Sequence, residues 1–434
     1  MRDRAVWTAE FRFGRPASAW VFTRSAVDED TRTPWRPQSW TVETPGVRLE
    51  RRGHFDLLRT DDGSPVPERV RIRFTPYARG LAASYDPALV FTDGTVALYN
   101  QQFDLVPVDA PAAADRLPRD LGDAGLTEGQ TRVRFRDVGA RVLYQGNRFD
   151  EASLAGDGAY VLFGPAEPIV TPAMATIIDP QLPAWLRSAL ASEVQQLIEH
   201  HARELGPPSA GRPTILVSWA GPTPALISMG GSVLTNLVTM RFEGIGVVEP
   251  RPALLAQARR FIAHEAAHFW LGQTVRYGSS REAWITEGGA DLLAVRAVQT
   301  LHPDFDVRAQ LNEALTECAG LIQNRGVESA HERGEHRAYY ACGAVFALVA
   351  EAKSRQPFSH FIRGLVDANR ADGVLTRDEW LNALDGVVRD PTIRVDIETL
   401  LDQGAPQPKQ ALASLLRRAG IPHAVGEDGL PRLQ

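Results

Sequence analysis

The strongest constraint on this chain is the pentapeptide His264-Glu265-Ala266-Ala267-His268, which sets two imidazoles one helical turn apart with a carboxylate between them. On an α-helix, residues i and i+4 project from one face, so His264 and His268 can share one metal ion. Glu265 stands beside them, where a carboxylate can take a proton from water. The apolar flanks Phe261-Ile262-Ala263 and Phe269-Trp270 also suit a buried helix that merely carries two histidines. With 10 His in 434 residues, the pattern arises by chance on the order of once in a hundred such chains, so it needs support elsewhere.

A catalytic zinc keeps three protein ligands and one open position. The third donor is found in Trp284-Ile285-Thr286-Glu287-Gly288-Gly289-Ala290-Asp291, where Glu287 follows His268 after eighteen intervening residues. That interval holds a turn around Tyr277-Gly278-Ser279-Ser280 and the start of a second helix running back along the first. Glu287 then completes a His, His, Glu set for Zn2+. Asp291, four residues on and on the same face, is placed to accept the second ring N–H of a ligand histidine. Gly288 and Gly289 are poor helix formers, tolerable where two helices approach closely around an ion.

The motif, its spacing and Glu287 within Trp284-Ile285-Thr286-Glu287-Gly288 resemble the aminopeptidase N family of gluzincin metallopeptidases, which includes leukotriene hydrolase. The resemblance implies that His264, His268 and Glu287 bind one zinc ion and that Glu265 is the general base. It also implies an oxyanion-stabilising tyrosine in a Tyr-x-x-Gly setting, matched by Tyr340-Ala341-Cys342-Gly343, with Tyr339 as the adjacent rival. One departure stands out. The family's aminopeptidases carry a Gly-x-Met-Glu-Asn strand whose glutamate holds the substrate amine, and here Leu226-Ile227-Ser228-Met229-Gly230-Gly231-Ser232-Val233 has no acid. Met229, Gly230 and Gly231 remain candidates for binding an extended peptide, the glycines by close approach of its backbone or by marking a bulge. Without the acid, a free amine loses its charge-assisted anchor, so exopeptidase specificity does not follow.

The residues from 1 to about 175 read as β-structure. Trp40–Thr44, Val47–Arg51, Val70–Phe74 and Arg132–Arg136 alternate apolar and polar side chains, and Asp93-Gly94 predicts a two-residue hairpin turn between 89–92 and 95–99. Asp109 to Gln130 is rich in Ala, Pro, Gly and Asp and reads as a loop or an inserted excursion. The arginines at 71, 73, 132, 134 and 136 fit solvated sheet faces. From Pro180 the period becomes helical and runs to Gly206, with His200 and His201 complementing the helix dipole in the last turn. Thr214–Trp219 and Ser228–Phe242 read as strands, and the chain beyond the zinc helices reads as helical to its end.

The expected fold is therefore α+β: an N-terminal antiparallel β-sandwich or saddle domain over 1–175, then a thermolysin-like, mainly helical zinc-peptidase domain over 176–434. Within the second, a small edge sheet falls at about 212–245, the zinc helices at about 252–300 and a helical lobe at about 305–434.

Formal net charge is -6 with no long basic run, so nothing points to nucleic acid or an anionic membrane. No apolar run reaches the roughly 18 residues of a membrane span. Met1-Arg2-Asp3-Arg4 opens without an apolar signal segment, which leaves the compartment cytoplasmic, or exported if a leader has been trimmed. Cys318 and Cys342 have no metal-type spacing and read as two reduced, buried thiols, with a disulfide as the alternative in an exported chain.

The expected partner is a peptide or peptide-like substrate. Two readings stay open beside an aminopeptidase-like enzyme: an endopeptidase or a hydrolase of blocked substrates, and a zinc-containing binding or scaffold module without catalysis.

Overall fold

In the computed structural model, residues 7–434 are described apart from 83, 120, 128, 173 and 210, so the opening tetrapeptide lies outside the described residues. The chain forms two compact units: one from residues up to Thr171, Ala175–Ala184 and Thr214–Val248, the other from Trp185–Pro213 and Glu249–Gln434 with 172–174.

The first unit begins with β1 (Trp7–Arg12), β2 (Ala19–Phe22), the one-turn helix α1 (Arg36–Ser39), β3 (Trp40–Val42), β4 (Val47–Arg52), β5 (Phe55–Thr60) and β6 (Arg69–Phe74). There follow β7 (Ala88–Val90), β8 (Val96–Tyr99), β9 (Leu105–Val108), β10 (Val133–Phe135), β11 (Val142–Tyr144), β12 (Asn147–Phe149), β13 (Ala152–Leu154) and β14 (Tyr160–Phe163). They pair antiparallel in sheets ordered β1-β6-β3, β4-β5-β2-β9, β12-β11-β14-β8-β7 and β10-β13. Alternation decides which side chains turn inward: in β6, Val70, Ile72 and Phe74 are buried, while Arg69, Arg71 and Arg73 are exposed. Arg71 and Arg73 pair with Glu43 at the surface, as solvated faces should. The inward set joins Phe11, Trp20, Phe22, Trp35, Trp40 and Phe103 in an aromatic core.

The hairpin at Asp93-Gly94 forms, but with a wider turn than expected. Phe91 N–H donates to Thr95 O and Gly94 N–H to Phe91 O, so three residues make the turn and Gly94 takes φ +85. The twist of the strands is met by a left-handed glycine after a tight turn. Residues 111–116 and 121–124 form short 3-10 turns within the expected loop.

A second five-stranded sheet holds β15 (Ile169–Val170), β16 (Ala175–Ile178), β17 (Thr214–Trp219), β18 (Ser228–Leu234) and β19 (Leu237–Glu243), in the order β15-β16-β17-β19-β18. Its centre is parallel and β18 is an edge strand, antiparallel to β19 in unbroken register from Ser228↔Glu243 to Leu234↔Leu237. That register corrects the bulge alternative at Gly230 and Gly231, since a bulge would set two residues against one.

The second unit is helical: α2 (Ala184–Leu205), α3 (Pro252–Ala267), α4 (Ala283–Leu301), α5 (Val307–Leu321), α6 (Arg337–Ser354), α7 (Phe358–Ala368), α8 (Arg377–Val387), α9 (Thr392–Asp402) and α10 (Pro408–Ala419). Two short strands, β20 (Arg276–Tyr277) and β21 (Val374–Leu375), pair in parallel. The helical run does not last to the terminus, because β22 (His423–Val425) and β23 (Pro431–Leu433) close the chain as a hairpin. Gly420 takes φ +76 and ends α10, and Asp428-Gly429 supplies the turn, so local punctuation there outweighs the helical trend.

The reduced-thiol expectation is also corrected: Cys318 of α5 and Cys342 of α6 are joined in a disulfide, with Cα atoms 4.9 Å apart. Two antiparallel neighbouring helices bring together residues that the sequence holds 24 positions apart. No helix among the described residues is long and apolar enough to cross a membrane.

Candidate metal centre

Pro252 opens α3 at a position where its missing N–H costs nothing. Leu254, Ala258, Ile262 and Ala266 repeat every four residues and are buried on one face, while Ala263, His264 and Ala267 are buried on another, so the end of α3 is enclosed on more than one side. The helix ends at Ala267, and His268 caps it in a helical conformation. Gly272 at φ +132 then reverses the chain. A capping box of Ser279 and Glu282 leads into α4, which carries Glu287 and Asp291.

These elements bring His264, His268 and Glu287 together, the one group of potential metal-binding side chains of this kind among the described residues. His264 Nε2 and His268 Nε2 lie 3.1 Å apart, with Glu287 Oε2 at 3.4 and 3.3 Å from them. The other ring nitrogens are engaged: His264 Nδ1 at 3.0 Å from Asp291 Oδ1, and His268 Nδ1 at 2.8 Å from Leu271 O. Both partners can only accept, so both Nδ1 atoms donate, and with neutral rings the two Nε2 lone pairs would face each other. Such an arrangement is repulsive unless positive charge lies between them. Glu287 Oε2 is buried and receives no hydrogen bond, a second open demand for a cation.

The dimensions fit. A tetrahedral ion with ligand bonds of about 2.0–2.2 Å holds its ligand atoms roughly 3.3–3.6 Å apart. The side-chain electrostatics agree. Burial would lower His264, yet the hydrogen bond and charge of Asp291, with Glu287, push it up to about 10. Burial would raise Glu287, and the two imidazoles hold it well below the usual carboxylate range instead. The group is built to hold positive charge. Burial pushes the Glu265 carboxyl up, against the lowering pull of His264 and His268.

Tyr340 and its rival separate cleanly. The Tyr340 ring stacks on His264 with centroids 5.6 Å apart, and burial with the neighbouring Glu287 raises its phenol, which keeps the proton it would donate. Tyr339 turns away, its hydroxyl 3.3 Å from both Glu328 O and His331 Nδ1. Met229, Gly230 and Gly231 lie on β18 in the first unit. A methyl at Gly230 would meet nothing within 4 Å, so no protein backbone presses on it.

Three features of the site were not foreseen. Arg260, one turn before His264, reaches Asp291 Oδ1 at 3.1 Å and shares it with that histidine. Its i−4 spacing was the available signal. His201 is buried, and its Nε2 lies 2.9 Å from the carbonyl of Ala263, the residue before His264. The expectation that His200 and His201 complement a dipole is thereby corrected: burial lowers both, His201 to about 4, so neither is held as a cation. Gly288 and Gly343 meet where α4 crosses α6, so Gly288 makes room for α6 and not for the ion.

No family model matches the chain, and no curated protein matches its sequence. Solved structures do. An aminopeptidase N family protein from Idiomarina loihiensis superposes with TM-score 0.61 at 11% identity, covering 94% of this chain and 75% of that one. Native yeast LTA4 hydrolase gives 0.51 at 14% identity, with 93% of this chain spanning 63% of the hydrolase. A variant of an M1 zinc metallopeptidase from Deinococcus radiodurans gives 0.50 at 14%, covering 92% and 90%. The fold is that of the zinc metallopeptidases, with N-terminal antiparallel sheets and a helical C-terminal region.

Proposed function

We propose that this chain is a gluzincin-type zinc metallopeptidase that hydrolyses peptide or other amide bonds, with His264, His268 and Glu287 holding one zinc ion. The observation that carries the reading is the facing pair of Nε2 atoms closed into a triangle by an unpartnered carboxylate oxygen. Zinc bound there supplies Lewis acidity, polarising the scissile carbonyl and acidifying water.

The chain's own residues do the rest. Glu265, whose carboxyl burial pushes up, accepts the proton of the attacking water and passes it to the leaving nitrogen. Tyr340 donates its phenolic hydrogen to the carbonyl oxygen as that oxygen gains charge. Asp291 holds the His264 ring so that Nε2 keeps its lone pair for the metal.

The strand corresponding to the family's amine-binding segment has Met229, Gly230 and Gly231 where an acid would stand, which favours substrates without a free amino terminus. Free-amine and N-acetylated fluorogenic peptides, assayed before and after chelation, test both levels. Chelator-sensitive cleavage with about one zinc per chain supports the enzyme, and equal rates on the two substrates remove the aminopeptidase specificity. Glu265→Gln should keep zinc and lose nearly all turnover; undiminished turnover would sink the mechanism.

A further inference from the structure

We propose that Gly288 and Gly343 form a clasp between α4 and α6 that sets where Tyr340 stands over the histidine–glutamate cluster, an inference that rests on the metallopeptidase reading. Gly288 directly follows Glu287, and Gly343 lies one helical turn after Tyr340. A methyl group on Gly288 would overlap the backbone of Gly343 and Ala344. On Gly343 it would overlap the carbonyl oxygen of Trp284 and come within 2.9 Å of Gly288 Cα.

All these atoms are backbone, so no rotamer change relieves the overlap and the helices must part. Neither glycine adopts a left-handed φ, so neither is there for its conformational freedom. Both sit in helix interiors, where glycine is disfavoured, and the close approach is what they provide. Gly289, next door, differs: a methyl there would press chiefly on the flexible end of Leu271. On the other side of α6, Cys342 is tied to Cys318 of α5. The segment from Tyr340 to Gly343 is therefore held from two directions, and the ring stacked on His264 hangs from it.

Gly343 is thus a positioning residue that acts through Tyr340. In the full chain, Gly343→Ala is expected to keep about one zinc and a KM within about twofold while kcat falls about tenfold or more. In a Tyr340→Phe background the same change should alter kcat less than about twofold, because the group it positions is already gone. Equal losses in the two backgrounds overturn the clasp. The crystal structure of Gly343→Ala reads it without turnover: α6 should stand away from α4 with Tyr340 no longer stacked on His264, and an unmoved ring overturns the proposal. If the parent chain turns over nothing, the metallopeptidase reading fails by itself and the crystal structure still decides the clasp. Should Gly343→Ala not fold, Ala347→Gly weakens α6 one turn further on without adding an atom. Its kcat should hold while its melting temperature drops, and kcat falling in step overturns the idea.

Discussion

Each unit of the molecule buries charge, and the two do so in opposite ways. In the first, Arg36 is sealed from solvent with Nη1 on Asp56 at 2.6 Å. Its Nη2 serves the carbonyls of Arg24 and Gln102. The guanidinium also lies 4.1 Å above the Phe22 ring and 4.6 Å above Trp35. Burial still pulls Arg36 down to about 10 against the support of Asp56, and its Nε alone is left without a hydrogen bond. In the second unit, the Nε2 atoms of His264 and His268 face each other and a carboxylate oxygen of Glu287 goes unmet. A guanidinium with its carboxylate in place is architecture; facing ring nitrogens beside an open carboxylate oxygen suit a cation.

The contrast breaks if metal fails to matter where it should. With free zinc a thousandfold above its Kd, the parent chain should gain about 4 kcal/mol of stability, and Glu287→Ala should gain none. Thermal melts with and without zinc read both numbers. Asp56→Ala should do the reverse, costing about 3–5 kcal/mol whether or not zinc is present, because it strands a buried guanidinium. Denaturant unfolding that shows a loss under about 1 kcal/mol would remove the pair from the architecture.

Within the second unit, Cys318→Ser with Cys342→Ser should cost about 3 kcal/mol by freeing the unfolded chain from a cross-link spanning 24 residues. Chemical denaturation of the two oxidised and unlinked forms measures it. The smallest effect sharpens the comparison with a buried group that stays neutral. Burial lowers His201 from the ordinary imidazole value of 6.5 to about 4. Below pH 6.5 the unfolded chain takes up a proton that the folded chain refuses, so stability is full above that pH and falls toward pH 4. The loss amounts to about 2 kcal/mol by pH 5. His201→Gln should flatten this part of the stability–pH profile; an unchanged slope would mean that the ring is not what titrates.

The candidate site was legible because its parts are local or helically spaced. His264 and His268 declare themselves by a four-residue interval, as do Glu287 and Asp291, and no tertiary knowledge is needed to put each pair on one face. The alternating strands of the first unit were legible for the same reason, with Val70, Ile72 and Phe74 turning in as the pattern dictates. Contacts between helices were not. Cys318 and Cys342 carry no spacing that announces a bridge, and their closeness exists only once α5 lies against α6. His201 looked like a helix-terminal cation because its burial depends on α3, and the α3 carbonyl it contacts comes 62 residues later. Gly288 was read against the ion it adjoins when the constraint on it comes from α6.

The short turn that caps α3 has a consequence for the order of assembly. His268 is oriented by a carbonyl only three residues away, so forming that contact closes almost no loop. Asp291 must come from 27 residues away to orient His264, and in the first unit Arg36 reaches across 66 residues to Gln102. A refolding chain therefore has the His268 ring aimed as soon as α3 and its terminal turn exist, ahead of the long-range pairings that complete the cluster and the sheets.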